Sequence, residues 1–362
     1  MLTLVLTVII VALIFEYING FHDTANAIAT TVGTGVLSAR NAIILATITK
    51  LAGALVGTAV AKTITSGLVD ATYITSWTII CALIGGIVWN LVTWWYGLPS
   101  SSSHAMIGGL LGATIASAHD NWNAIIWMKE KGGPWFKNDG VFYKVFIPMI
   151  SSPVLGLIVG FLFMALLYLT LQKVYKADWV QKVFGKLQLL SSGYMGFAHG
   201  SNDAQKIMGI IALSLLTATK AGDLQNVPTW LEFLKHPMVT AADGSQTIAT
   251  WIKILCALVM AAGTAAGGWK IINTLGTKLV ELKPIHGFAA ETTSATILLF
   301  AAKLGMPVST THAITTSIMG VGLAKKEGKS LCVGTAGRIL FAWVLTIPAT
   351  FLIAYVLRKV TM

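Results

Sequence analysis

Charge is what this 362-residue sequence has least of: Asp, Glu, Lys and Arg make up only 11% of it. A soluble domain carries about 25%. With 55% hydrophobic residues and a mean hydropathy of +0.76, the deficit excludes a water-soluble globule. Arginine is scarcest: Arg40, Arg338 and Arg358 are the only three, all near the ends of expected helices. An anion site built on an arginine cluster is therefore excluded. Cysteine is nearly absent too. Cys81, Cys256 and Cys332 are odd in number, lack CxxC spacing and sit in apolar surroundings. They fit small buried hydrophobes rather than a disulfide frame or a metal centre. No GxxxxGKS loop occurs, which excludes ATP-driven transport within this chain. Neither a carbonyl filter sequence nor a ring of one charge sign points to an ion channel. The N-terminus has no basic stretch ahead of the apolar run from Leu2, so that run reads as a retained helix, not a cleaved signal.

What the chain has is apolar runs near 2–18, 41–61, 78–96, 104–118, 147–170, 190–217, 252–268, 285–304, 306–324 and 339–357. A spanning helix needs roughly 20 apolar residues. Several runs are shorter and broken by Gly and Pro, so some are half-helices or re-entrant segments shielded by protein. The expectation is an all-α membrane protein with about 10–12 membrane-embedded helices. The 35 glycines and 12 tryptophans suit close helix packing and interfacial anchoring. The net charge of +11 would suggest a nucleic-acid partner in a soluble protein; here it fits lysine-rich cytoplasmic loops facing anionic lipid. Lys173, Lys176, Lys182 and Lys186 against Asp178 mark the central loop as cytoplasmic, as do Lys325, Lys326 and Lys329 against Glu327. Segments 119–146 and 219–250 read as outside loops, with Trp122, Trp127 and Trp135 at an interface, and both termini fall outside. The division is 1–170, a cytoplasmic linker at 171–190, and 191–362, two repeats of inverted topology.

The repeats are visible as duplicated motifs. Gly97-Leu-Pro-Ser-Ser-Ser-Ser-His104 returns as Gly305-Met-Pro-Val-Ser-Thr-Thr-His312, at a constant offset of 208 residues. Gly and Pro stop one helix and Ser caps the next. A helix N-terminus leaves free N–H groups and partial positive charge, and hydroxyls add donors. Ser101, Ser102, Ser103, Ser309, Thr310 and Thr311 are therefore the candidate oxyanion ligands. Two copies in register favour binding over plain capping. His104 and His312 read either as ligands or proton carriers, or as donors to backbone carbonyls that orient the break.

A second duplicated motif is an acid-amide break: Gly20-Phe-His-Asp23-Thr-Ala-Asn26 in the first half and Gly200-Ser-Asn202-Asp203-Ala-Gln205-Lys206 in the second. Ionisable residues inside a membrane are costly and point to function. Na⁺ prefers oxygen ligands, which Asp23, Asn26, Asn202, Asp203 and Gln205 offer. Glu16, two turns before Asp23, and Glu291 are further cation or proton sites, or else ion-pair partners for Lys50 or Lys206.

These four motifs together resemble the inorganic phosphate transporter (PiT) family of sodium- or proton-coupled phosphate permeases, over the whole chain. The resemblance implies a secondary active transporter, not an enzyme, that imports inorganic phosphate with two or more co-transported Na⁺ by alternating access. It would be a multi-pass protein of the inner cell membrane, with lipid around it and a homodimer left open. On this resemblance Asn26 and Asn202 join the phosphate ligands, and Glu291 joins the sodium ligands Asp23, Asn26, Asn202, Asp203 and Gln205. Proton-coupled or metal-phosphate symport and a sulfate permease are the alternatives. An intramembrane hydrolase is disfavoured, since it needs one activated nucleophile rather than two matched hydroxyl runs. The chain departs from the family pattern at three places. His22 replaces a motif asparagine. Lys206 replaces the last asparagine of the second motif. Lys50 stands where many relatives carry glutamate.

Overall fold

In lipid a backbone must satisfy its own hydrogen bonds, and helices do so within one segment. The computed structural model, which describes residues 1–171, 177–240, 244, 246–325 and 331–362, is accordingly helical. In the first half α1 (Leu2–His22) and α2 (Thr24–Gly33) join through Asp23. There follow α3 (Ala39–Ala54), α4 (Ala59–Ser66), α5 (Ser76–Trp95), α6 (Ser102–Ser117) and α7 (Ile147–Leu171). The second half has α8 (Ala177–Lys220), a small antiparallel hairpin β1 (Met238–Thr240) and β2 (Gln246–Ile248), α9 (Thr250–Ala266) and α10 (Trp269–Asn273). It ends with α11 (Pro284–Lys303), α12 (Thr310–Ala324) and α13 (Val333–Val360).

The halves match in order. Each has a pair bent sharply, α3 with α4 at 64° and α9 with Lys270–Lys278 at 66°. Each then has a 20-residue helix, a short helix, and a long helix with an internal proline, Pro153 or Pro348. Among the described residues four helices are long and apolar enough to cross a membrane: Leu2–Gly33, Ser76–Trp95, Phe142–Leu171 and Val333–Val360. Counting each bent pair as one span brings the number to six. The short helices α6 and α12, at about 1.5 Å per residue, reach some 24 Å or less and fall short of a ~30 Å hydrocarbon core. Both are almost wholly buried.

Each short helix packs on the long helix of the opposite half, α6 on α13 and α12 on α7. Gly112 and Gly320, again 208 apart, sit at these crossings. A Cβ at either would collide with a carbonyl oxygen of the crossing helix, that of Phe351 or Leu157. Small residues let membrane helices approach closely in this way.

Two expectations change. The acid-amide segment of the second half is no break, because Gly200 to Lys206 runs uninterrupted inside the 44-residue α8. His199, Asp203 and Lys206 lie on one face at spacings of four and three, with His199 Nε2 and Lys206 Nζ both close to the Asp203 carboxylate. The expected linker 171–190 is helical from Ala177 onward and forms the start of α8. Lys173 and Lys176, and likewise Lys326, Glu327 and Lys329, lie outside the described residues.

Candidate functional site

The two hydroxyl-rich breaks are built alike. Gly97 and Gly305 adopt φ of 65° and 66°, a left-handed conformation that glycine takes without steric cost. Leu98 N–H then bonds Thr93 O and Gly97 N–H bonds Trp94 O; Met306 to Ala301 and Gly305 to Ala302 repeat the pattern. This paired closure ends α5 and α11. Pro99 and Pro307 follow, and Ser101 and Ser309 cap the next helices, accepting from His104 N at 3.2 Å and His312 N at 3.1 Å. The first N–H groups of α6 and α12 are left facing outward from each helix start.

The two starts meet. The rings of His104 and His312 stand edge to face, 4.7 Å apart. The two histidines occupy matching positions of the duplicated motif, 208 residues apart. His312 also stacks on Trp343 at 3.8 Å, and the Trp343 indole donates to Pro99 O at 2.9 Å. Ser103 Oγ donates to Val308 O at 3.3 Å, linking one break to the other.

The acid-amide residues line the same place. Asn26 Nδ2 donates to Thr310 Oγ1 at 3.2 Å and to Thr311 Oγ1 at 2.9 Å. Thr310 Oγ1 donates to Asp203 Oδ2 at 3.1 Å. Lys206 Nζ donates to Asp203 Oδ1, to Ser103 Oγ and, at 3.0 Å, to Val308 O. Asp23 Oδ1 lies 2.6 Å from His22 Nδ1, whose Nε2 reaches Thr93 Oγ1 at 3.1 Å; Thr93 in turn meets Ser100 Oγ at 2.8 Å. Lys50 Nζ donates to Asp23 O at 3.3 Å. His199 Nε2 lies 2.7 Å from Asp203 Oδ2. Ligand atoms of Asp23, His199 and Asp203 all fall within 4.8 Å of one another, close enough to share one cation.

All of these side chains are buried. Yet Ser102 Oγ, both amide atoms of Asn202, His104 Nδ1 and both ring nitrogens of His312 have no hydrogen-bond partner among the described residues. Buried polar atoms left unpaired are costly. Ser102, His104 and His312 stand in the first turns of α6 and α12, where unpaired polar atoms suit a polar guest.

The sequence profile of the phosphate transporter family matches residues 19–180 and 170–354. The chain belongs to that family. A relative from Bacillus subtilis (strain 168), named probable low-affinity inorganic phosphate transporter, is 40% identical over 350 residues, 96% of this chain and 94% of its own. One of the same name from Mycobacterium bovis is 41% identical over 352 residues, 97% of this chain and 76% of its own. A solved structure titled "The sodium-dependent phosphate transporter" superposes with a TM-score of 0.82 at 23% identity, covering 99% of both chains, and so shares the fold. The family and its curated members are transporters, not enzymes.

Not every residue expected at the site of this transporter is there. Gln205 is engaged elsewhere: its Oε1 accepts from Val60 N at 2.9 Å and Ala61 N at 3.4 Å, and its Nε2 donates to Ser201 O at 2.5 Å. It caps the start of α4 and has no ligand atom left for sodium. Glu291 lies in a separate cage, accepting from Thr30 Oγ1 at 2.5 Å, Thr31 Oγ1 at 2.8 Å, Gln188 Nε2 at 3.3 Å and Ser191 Oγ. These four donors tie it to α2 and α8 rather than to the helix starts of α6 and α12. Glu16 is buried, and Asn19 Nδ2 donates to its Oε2 at 3.4 Å. Neither ring nitrogen of His312, nor Nδ1 of His104, meets a carbonyl among the described residues; the backbone caps come from Ser101 and Ser309. These two serines accept in the caps and keep their O–H free to donate. His199, Thr93 and Trp343 join the site without having been singled out. Only His199 carries a signal in sequence, its spacing of four from Asp203.

Proposed function

We propose that this chain imports inorganic phosphate across the inner cell membrane, driven by sodium ions. In this reading residues 1–170 and 191–362 are inverted-topology repeats that alternate access to one central site. The observation that carries the reading is the meeting of α6 and α12 at their N-termini, with buried Ser102 and His312 in their first turns unpaired among the described residues. Two helix dipoles and converging N–H and O–H donors suit a tetrahedral oxyanion without any arginine. Ser101, Ser102, Ser103, Ser309, Thr310 and Thr311, with Asn26 and Asn202, hold the phosphate. Asp23, Asn26 and Asn202 supply oxygen ligands for sodium, while the Asp203 carboxylate is paired with Lys206.

One feature favours a second reading. His199 adds an imidazole nitrogen to the Asp23 and Asp203 pair, and imidazole suits divalent transition metals better than Na⁺. That would make the cargo a metal-phosphate. Radiolabelled phosphate uptake into proteoliposomes, with Na⁺, proton and divalent-metal gradients imposed one at a time, separates the two. Sodium coupling predicts that uptake collapses when choline replaces Na⁺ at fixed pH. Undiminished uptake in choline refutes it, and uptake that follows a divalent metal instead supports the second reading. Orientation is tested by cysteine labelling from outside, which should reach position 361 and not position 182.

A further inference from the structure

The two acid motifs differ at one decisive position. Three residues beyond Asp23 stands Asn26, and three beyond Asp203 stands Lys206. Both reach across to equivalent targets in the opposite half, Asn26 to Thr311 and Lys206 to Ser103, which are 208 apart. The Lys206 ammonium is buried, and its three partners are a carboxylate oxygen of Asp203, the hydroxyl of Ser103 and the main-chain carbonyl of Val308. Carboxylate, hydroxyl and carbonyl oxygen are the ligand set of a hard cation such as Na⁺. In the first half the corresponding group is a neutral amide; the Asp23 carboxylate is met by His22, and the Lys50 ammonium donates to the Asp23 main-chain carbonyl at 3.3 Å, not to its carboxylate.

We propose that the Lys206 ammonium is a tethered cation that takes the place of a free sodium ion at Asp203. The proposal rests on reading the two hydroxyl-rich helix starts as the phosphate site. The ammonium lies against Ser103 in the first turn of α6, so it adds a full positive charge where two helix dipoles already favour an anion. When phosphate arrives, one ammonium proton turns from Val308 O to a phosphate oxygen while the Asp203 contact persists. A free ion at this place would make phosphate affinity depend on sodium concentration by one further power, as linked binding requires. A tethered one contributes at every sodium concentration. The second half thus neutralises its share of phosphate charge without its own sodium ion.

The test is equilibrium binding of radiolabelled phosphate to the purified full-length protein, titrated with Na⁺ against choline. In Lys206→Asn, the slope of log affinity against log sodium concentration should rise by one over wild type. Its affinity at the lowest sodium should fall about tenfold, the effect of one lost charge-assisted contact. Lys206→Arg, and the double variant Asp203→Asn with Lys206→Asn, should keep the wild-type slope. An equal slope in Lys206→Asn and wild type overturns the proposal. Should Lys206→Asn bind too weakly, its melting temperature in native membranes should rise with sodium more steeply than that of wild type or the double variant. Equal rises overturn it as well. Failure of the underlying site looks different: Ser102→Ala and Thr310→Ala would then leave phosphate binding unchanged, whatever the slopes. A wild-type slope of zero would remove sodium coupling and leave the difference between the variants standing.

Discussion

In the first half Asn26 crosses to Thr310 and Thr311; in the second Lys206 crosses to Ser103 and Val308. The positions correspond and the chemistry does not. One arm is a neutral amide that leaves Asp23 to His22. The other is a cation that pairs with Asp203. On the proposed reading, shared geometry would clasp one tetrahedral guest from two sides, and unequal charge would decide which half still needs a mobile cation.

The largest expected effect comes from breaking the aspartates unequally. Asp23→Asn should abolish uptake in proteoliposomes while leaving the fold near its wild-type melting temperature. Asp203→Asn should abolish uptake and also destabilise the protein, because Lys206 is then left as a buried charge without its carboxylate. Removing one partner of a buried pair costs about 3–5 kcal/mol. Melting curves in detergent, run beside uptake, check the contrast. Equal melting temperatures for the two variants would show that Lys206 does not depend on Asp203.

A smaller effect sharpens the symmetric side of the comparison. Ser102 and Thr310 are equivalent, 208 apart, yet Thr310 is tied to Asp203 and Ser102 has no hydrogen-bond partner among the described residues. Alanine at either should raise the phosphate dissociation constant about tenfold, as one hydrogen bond to a charged group is lost. Ser117→Ala, at the far end of α6 where Ser117 accepts from Arg358 Nε at 2.7 Å, should leave that constant unchanged. Isothermal titration with phosphate reads all three. A response at Ser102 alone or at Thr310 alone would mean that the anion is held by one half.

How much of this is legible in sequence depends on the range of the forces involved. The hydroxyl-rich breaks are readable because the Gly97 and Gly305 conformations, the prolines and the Ser101 and Ser309 caps act within a few residues. Asp23 at its junction is readable for the same reason. The second acid motif misleads, since residue types alone suggest a break where His199, Asp203 and Lys206 instead close on one face of α8. Gln205 looks like a ligand in its motif, but its targets Val60 and Ala61 lie in another helix about which local sequence says nothing. Glu291 looks like a cation ligand until the hydroxyls of Thr30, Thr31 and Ser191 are seen around it.

Gln205 offers a modest test of that correction. In Gln205→Ala the start of α4 loses its cap, worth about 1 kcal/mol, so the melting temperature should drop slightly. Phosphate affinity and its sodium dependence should stay within about twofold of wild type, a shift below 1.4 kcal/mol. A large loss of sodium dependence would return Gln205 to the cation site.

The smallest effect belongs to the rims, where the halves also differ. Beyond α6, Asp120 accepts from Tyr355 OH at 2.8 Å and from Lys359 Nζ at 2.9 Å, latching the short helix to the end of α13. Beyond α12, Lys325 reaches only the Glu281 carbonyl at 3.1 Å and its carboxylate at 3.8 Å. The Lys359 ammonium and the Tyr355 hydroxyl hold the Asp120 carboxyl below the usual carboxylate range. A carboxylate with a depressed value in the folded state contributes stability above its unfolded value and loses it as pH falls through the folded one. The Asp120 latch is thus present at neutral pH and released only in strong acid. Being solvent-exposed, it is screened and weak, so Asp120→Asn should lower the melting temperature at pH 7 by less than about 2 °C and leave uptake unaltered. The difference between wild type and variant should vanish as pH falls below the ordinary carboxylate range. A difference that widens in acid would mean that Asp120 is held by something other than Lys359 and Tyr355.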